Sequence, residues 1–374
     1  MGRLKFMSDS RINNFLFFRD KRVLVTGHTG FKGAWLIAIL NYLGAKTQGY
    51  SLAPESGCLY EQIRGDKLVQ SVIGNLVDYS QLEKTVLEFE PEIIIHLAAF
   101  GFMNECYNEP RRAYESNVIG TVNLLETVRK CKSVKSIIVV STDKVYFNKG
   151  DSAVYTEGDQ LGGASPYSCS KTCMELVVQD YRDTYFNSLD REIGIGIVRA
   201  SNVLAGGDHI QTRLIPSILQ SIDAGKPVKL RNPSQTRPWQ SVLDALDGYL
   251  TVARYVYNSP EIYSGEWNIG PTSTGIKSVG WVFDKMQSFF DGVKQEEAKQ
   301  FDVHESETLG LNITKAITLL DWKPQLTLDR VIEQVVEFYR GQKCGVDVLS
   351  LCRAQIEEYY GGKNYEVEYR GGCT

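Results

Sequence analysis

The chain has 374 residues, a mass of 42.0 kDa, a net charge of −4 and a pI near 5.8. That balance gives no reason to expect a nucleic-acid partner, and no stretch reaches the ~18 uninterrupted apolar residues of a membrane span. A hydrophobic fraction of 43% with 23% charged residues fits a globular protein that buries a sizeable core, as one domain or two intertwined lobes.

Residues 1–20 read as an N-terminal extension. Met1-Gly2-Arg3-Leu4-Lys5-Phe6 has neither the apolar region of a secretory signal nor the hydroxyl residue that a myristoylation site wants at position 6. A first strand at 21–26 is followed by strands expected at 46–51, 68–73, 92–97, 135–141 and 193–199. Helical patterns alternate with them at 31–44, 78–90, 111–132 and 166–187. This alternation predicts an α/β fold: a Rossmann-type doubly wound parallel sheet over 21–200, with ligands outside the carboxyl ends of the strands. After Arg199 the rhythm changes. Helical patterns at 210–224, 241–258, 277–289, 312–321 and 327–342, with extended pieces at 227–231 and 266–270, predict a smaller, mostly C-terminal α/β substrate lobe over 201–342. Residues 343–374 form a C-terminal extension in which 347–360 has an amphipathic helical pattern. The eight cysteines form no CxxC pair, Cys169 and Cys173 being the closest two, and no two of the four histidines have metal-ligand spacing. Reduced thiols, a cytoplasmic location and no catalytic metal are the expectation.

Gly27-His28-Thr29-Gly30-Phe31-Lys32-Gly33 follows the first strand and opens a helix. Glycines there permit a tight turn and close approach of a pyrophosphate, which meets the free N–H groups and positive dipole end of the helix. The second strand ends Gly49-Tyr50-Ser51-Leu52, without the carboxylate that usually accepts ribose hydroxyls and without an arginine for a 2′-phosphate. NAD is the cofactor expected.

Ser141-Thr142-Asp143-Lys144-Val145-Tyr146 follows the apolar run 137–140. A hydroxyl, a carboxylate and an ammonium side by side at the end of a buried strand cost desolvation, which points to chemistry; a strand-end salt bridge between Asp143 and Lys144 is the plainer reading. One helix further on, Tyr167 and Lys171 stand at i and i+4 and share a face, with Pro166 at a first helical position. An ammonium beside a phenol favours the phenolate, a base able to remove a hydroxyl proton as hydride leaves the same carbon.

On these motifs the chain resembles the extended short-chain dehydrogenase/reductases, and within them the nucleotide-sugar 4,6-dehydratases, those acting on CDP-D-glucose above all. The resemblance covers roughly residues 20–342. Further stretches carry it: His96-Leu97-Ala98-Ala99, Asn117-Val118-Ile119-Gly120-Thr121, Gly206-Gly207-Asp208, Arg213-Leu214-Ile215-Pro216, Arg231-Asn232-Pro233 and Arg237-Pro238-Trp239-Gln240. It implies cofactor contacts from Gly27, His28, Thr29, Gly30, Phe31, Lys32, Gly33, Asn75, Leu76, Leu97, Ala98, Ala99, Asn117, Tyr167 and Lys171. It also implies a reaction in three steps. Tyr167 takes the 4-hydroxyl proton as hydride leaves C4, with Thr142 holding that oxygen. Water is then eliminated across C5 and C6. Reduction at C6 completes a 4-keto-6-deoxy sugar. Asp143 matches the acid for the departing 6-hydroxyl. Lys144 stands where relatives have a glutamate base, and it either accepts the C5 proton, relays it or stabilises the enolate. Substrate contacts are implied for Phe100, Asn202, Arg213, Leu214, Pro216, Asn232 and Arg237, with His304 and Glu305 in a vaguer role. A homodimer or higher homo-oligomer, paired through 111–132 and 166–187, is implied as well.

Departures from the pattern bear on the substrate. Phe100-Gly101-Phe102-Met103-Asn104-Glu105-Cys106-Tyr107 stands where the family has glutamine and a stretch ending in arginine, Asn75 where an aspartate commonly holds adenine, and His209 where an aromatic follows Gly-Gly-Asp. A dehydratase or 4-epimerase for another nucleotide-sugar, and a non-catalytic nucleotide-sugar-binding protein, are the alternatives.

Overall fold

The computed structural model describes residues 9–148, 153–187, 192–230, 232–291, 293–297 and 310–361. Seven strands form the central sheet: β1 (Arg22–Thr26), β2 (Lys46–Ser51), β3 (Gln70–Ile73), β4 (Ile93–His96), β5 (Ser136–Val140), β6 (Gly194–Ala200) and β7 (Gly265–Ile269). Their order is β7-β6-β5-β4-β1-β2-β3, and every neighbouring pair is parallel. Chain order reverses between β1 and β4, so a crevice opens there at the carboxyl edge.

The strands are apolar on both faces because both are covered. Val23, Val25, Ile93, Ile95, Ile138 and Val140 point into one core, shared with α2 (Phe31–Tyr42), α7 (Val242–Asn258) and α10 (Val348–Gly361). Leu24, Ile94, Ile137 and Val139 point into the other, closed by α3 (Tyr79–Phe89), α4 (Gly120–Lys130) and α5 (Pro166–Tyr181). The 111–132 pattern is one helical path in three pieces: Pro110–Tyr114, a π-helical turn at Glu115–Ile119, and α4. A third core belongs to the lobe. There α6 (Leu214–Asp223), α8 (Val279–Gln287) and α9 (Leu328–Lys343) enclose Trp239, Val282, Phe283 and Ile332.

Residues 242–269 fall inside the segment expected to build the lobe, yet they supply α7 and the edge strand β7 to the central sheet. A parallel strand needs a long crossover, and α7 provides it. The N-terminal extension contains α1 (Asp9–Phe18), which docks on α7: Asn14 Nδ2 donates to Asp247 Oδ1 at 3.1 Å and to Thr251 Oγ1 at 2.8 Å. The amphipathic pattern at 347–360 is α10, packed against α2 and α9.

Candidate active site

A cleft of about 900 Å³ runs along the carboxyl edge of the sheet and under the lobe. The glycine loop forms its floor. Gly27 has φ of 75°, and a Cβ there would come within 2.7 Å of Ala98 N. At Gly33 a Cβ would strike Gly27 O at 2.1 Å, which is why helix and strand pack so closely. At Gly30 the nearest protein atom to such a Cβ is 3.4 Å away, so the bare backbone there leaves room on the cleft side. Gly30 caps α2 without a side-chain bond, so the first N–H groups of the helix stay open to an anion.

Thr29, Phe31, Lys32, Asn75, Leu76, Leu97, Ala98 and Ala99 also line the cleft. His28 does not. Its ring fills the space over Gly49, where a Cβ would lie 2.3 Å from His28 Cγ, and its Nε2 is 2.7 Å from Ser71 Oγ. Burial pushes its pKa down to about 4, so it packs as a neutral ring. Asn117 is buried behind the wall rather than on it. It accepts from Phe100 N at 2.7 Å and donates to Phe100 O at 3.1 Å and Ser170 Oγ at 2.9 Å. This amide therefore clamps the 97–101 loop to the Tyr167 helix.

Thr142, Asp143, Lys144, Tyr167 and Lys171 meet in the middle of the cleft. Thr142 Oγ1 donates to Asp143 Oδ1 at 3.1 Å and accepts from Lys144 N at 3.3 Å. Asp143 is 2% exposed, and Lys144 Nζ stands 3.6 Å from its Oδ1. A capping box between Ser165 and Ser168 starts α5 and sets Tyr167 in its first turn. Burial raises Tyr167 to about 12, a hydrogen bond with Thr142 opposes the rise, and Asp143 adds to it. Lys171 differs from its expected place beside the phenol: its Nζ donates to Val140 O at 2.7 Å, at the end of β5. Burial brings this lysine down to about 7; Glu175 pulls it up and Lys32 pushes it further down. At neutral pH Tyr167 is thus a neutral phenol.

Asn202, Arg213, Leu214, Pro216, Arg237 and Phe100 line the lobe side. Arg213 pairs with Asp208 at 2.9 Å and lies over the rings of Phe31 and Phe102. Asn202 and Arg237 are set by the small sheet in which 236–241 pairs with 202–204 and 276–278. Asn232 occupies a tight turn with φ of 45° and is not part of the cleft wall. His304 and Glu305 lie outside the described residues. Phe100, Cys106, Ala113 and Tyr167 form an apolar cluster, so the wall beside the phenol is greasy.

Sequence reasoning passed over several groups at the site. Tyr249 on α7 puts its hydroxyl 3.4 Å from Lys32 Nζ. Lys32, expected from the sequence at the cofactor, is half-buried on the cleft wall, and burial and Arg213 lower it to about 8. Glu175 and Arg199 form a buried ion pair beneath the Thr142–Lys144 loop. Glu175 had a local signal, one helical turn beyond Lys171; Tyr249 had none, being 217 residues from its contact. Among the described residues no three His, Cys, Asp or Glu side chains gather as metal ligands, and no helix is long and apolar enough to cross a membrane.

Comparison with known proteins agrees with this architecture. An epimerase from Methanothermobacter thermautotrophicus has the same fold, with a TM-score of 0.75 at 20% identity over 90% of this chain and 97% of that one. The dTDP-glucose 4,6-dehydratase of Bacillus anthracis, solved in complex with NAD, gives 0.72 at 24% identity over 86% and 97%. A CDP-glucose 4,6-dehydratase from Salmonella typhimurium is 38% identical over 348 residues, covering 92% of this chain and 97% of the relative. The family described as GDP-mannose 4,6 dehydratase matches residues 24–335. With that span matched and a relative this similar along nearly its whole length, the chain belongs to the nucleotide-sugar 4,6-dehydratase family.

Proposed function

We propose that this protein converts CDP-D-glucose to CDP-4-keto-6-deoxy-D-glucose with NAD held in the cleft. The observation that carries the reading is the meeting of Thr142, Asp143 and Lys144 with Tyr167 in one pocket beside a bare glycine cradle. An oxidation needs only the tyrosine and the lysine of α5. The acid and amine at the end of β5 supply what elimination adds.

Gly27, Gly30 and the open N-terminus of α2 would hold the cofactor pyrophosphate, with Lys171 and Tyr167 beside its reactive end. Bound NAD supplies a hydride acceptor that returns the hydride later in the same cycle. Tyr167 takes the 4-hydroxyl proton, and Thr142, on the same cleft wall, holds the sugar oxygen. The ketone at C4 acidifies C5. Lys144 would accept that proton, relay it or stabilise the enolate, and Asp143, almost wholly buried, would protonate the departing 6-hydroxyl, which leaves as water. The fork of Arg237 suits the substrate pyrophosphate, with Arg213 beside it.

The apolar wall of Phe100, Phe102 and Met103 favours a second reading, in which the same nucleotide carries a hexose less polar than glucose on that face. A panel of CDP-, dTDP-, GDP- and UDP-hexoses separates the two by the alkali-induced chromophore of the 4-keto-6-deoxy product. CDP-glucose is expected to give it fastest, and a panel with no such product sinks the dehydratase reading. Exposed Tyr114, Ile119 and Leu176 lie on the Pro110–Lys130 and α5 surfaces, which supports a homodimer paired there. Light scattering that returns a monomer rejects that pairing. The described cysteines are all free thiols, in keeping with a reducing, cytoplasmic setting.

A further inference from the structure

The stretch 141–146 is fastened at both ends to a single buried ion pair. Arg199, on β6, and Glu175, on α5, are 1% and 0% exposed. The guanidinium Nε and Nη2 reach Glu175 Oε2 at 3.0 and 2.6 Å. Ser141, the residue before Thr142, donates its hydroxyl to Glu175 Oε1. Tyr146 accepts from Arg199 Nη1 at 2.9 Å, lies under the guanidinium at 4.9 Å, and donates to Asn268 Oδ1 at 2.7 Å. One anion therefore holds the entry to the loop and its cation holds the exit. Thr142, Asp143 and Lys144 are carried between them.

The same carboxylate sits one turn from Lys171, four residues further along α5. We propose that Glu175 and Arg199 are positioning residues, setting the Thr142–Lys144 loop against Tyr167 and placing a carboxylate one helical turn from Lys171. A buried pair is a poor source of stability compared with apolar side chains of like volume, so its presence here calls for a geometric role. The inference rests on Tyr167 and Lys171 being the oxidation pair of the proposed reaction.

The electrostatics run the same way. Lys171 faces Glu175 on its own helix, Lys32 from the glycine loop and His96 from β4. Burial and Lys32 lower it and Glu175 raises it; His96, lowered to about 3, is neutral. Arg199 faces Glu175 and Tyr146, the carbonyl of Glu157 at 2.9 Å, and at the sheet edge Glu266, which Arg182 and Lys315 also approach. Glu175 is thus the carboxylate that opposes the loss of the Lys171 proton.

The test compares wild type with Glu175→Gln, with the charge-free double variant E175Q/R199M and with Ser141→Ala. The double variant leaves no unpaired buried ion, and Ser141→Ala keeps the pair intact. Calorimetric titration with NAD across pH is expected to follow Lys171, its midpoint moving acid-ward by about one unit in both Glu175 variants. Amide exchange of residues 142–146 is expected to rise about tenfold in all three, with the rest of the sheet unchanged. In turnover, kcat should fall about tenfold or more with KM nearly constant, and Glu175→Asp should recover part of it. A merely structural pair would lower the melting temperature and leave the NAD midpoint and loop exchange where they were; that result overturns the proposal. If wild type acts on no nucleotide-sugar, the dehydratase reading fails, while NAD binding and exchange still decide the roles of Glu175 and Arg199.

Discussion

Lys171 sets stability against chemistry within one side chain. Its ammonium is buried, so the folded chain loses the proton near pH 7 while the unfolded chain keeps it to about 10.5. Between those values the unfolded state binds more protons, and stability from this group rises with pH across 7 to 10.5. Below pH 7 the cost is constant and at its largest. Lys171→Met should therefore remove the rise, gaining most on wild type at pH 6, and should abolish turnover. Melting curves of the two that stay parallel from pH 6 to pH 10 would reject the assignment. Lys144 bears on the elimination alone. Lys144→Ala should lower product formation about 10²- to 10⁴-fold while absorbance of the reduced nicotinamide still reports C4 oxidation; unchanged turnover rejects its role. Such residues were legible because their chemistry is contiguous: a strand end in one case and one helical turn in the other. His28 and Asn117 were misplaced for the opposite reason. What turns them from the cleft is Gly49 and Ser71 on neighbouring strands and Phe100 across a loop, contacts that carry no mark in the local sequence.

At the level of elements, α7 links parts of the chain that sequence reading kept apart. Its apolar pattern predicted a lobe helix, yet its buried face covers β5 and β6, and strand β7 after it extends the sheet. Nothing in a short extended stretch such as 265–269 tells which sheet it will join, since register and partner are set by the crossover before it. On α7 the carboxylate of Asp244 accepts from Gln325 N at 2.7 Å, Leu326 N at 3.2 Å and the Tyr359 hydroxyl at 2.9 Å. Burial raises it to about 7, those hydrogen bonds oppose the rise, and Asp247 adds to it. The folded chain therefore holds a proton between pH 3.8 and about 7 that the unfolded chain has released. Stability from this group is full below pH 3.8 and is lost as pH rises through 7. Asp244→Asn removes the titration and keeps one oxygen for Gln325 N and the Tyr359 hydroxyl, giving up the bond from Leu326 N. Urea unfolding of that variant should show a smaller decline from pH 4 to pH 7 than wild type; an equal decline would place the titration elsewhere.

Across the whole molecule, the two terminal segments grip one helix from separate places. Asn14 of α1 and Tyr360 of α10 both reach Asp247, the hydroxyl of Tyr360 at 3.2 Å, while Tyr359 reaches Asp244. Both segments lie beyond the 24–335 span that the family shares, and both pack on the core that also carries α2, the helix under the glycine loop. Burying Leu351, Cys352, Ile356, Tyr359 and Tyr360 almost completely is worth roughly 1.5–3 kcal/mol for each large side chain. Summed, that rivals the ~5–15 kcal/mol by which a typical domain is stable at all. Deleting residues 345–374 should therefore do more than shorten the chain. It should uncover Tyr42 on α2, whose ring meets Tyr360, leave Asp244 and Asp247 without their tyrosines, and loosen the helix whose N-terminus would face the cofactor. The truncated protein is expected to lose its cooperative thermal transition and its NAD binding together, with the near-ultraviolet circular dichroism signal collapsing at room temperature. A truncated chain that melts within a few degrees of wild type and binds NAD equally well would show that the clamp is an ornament on an independent core.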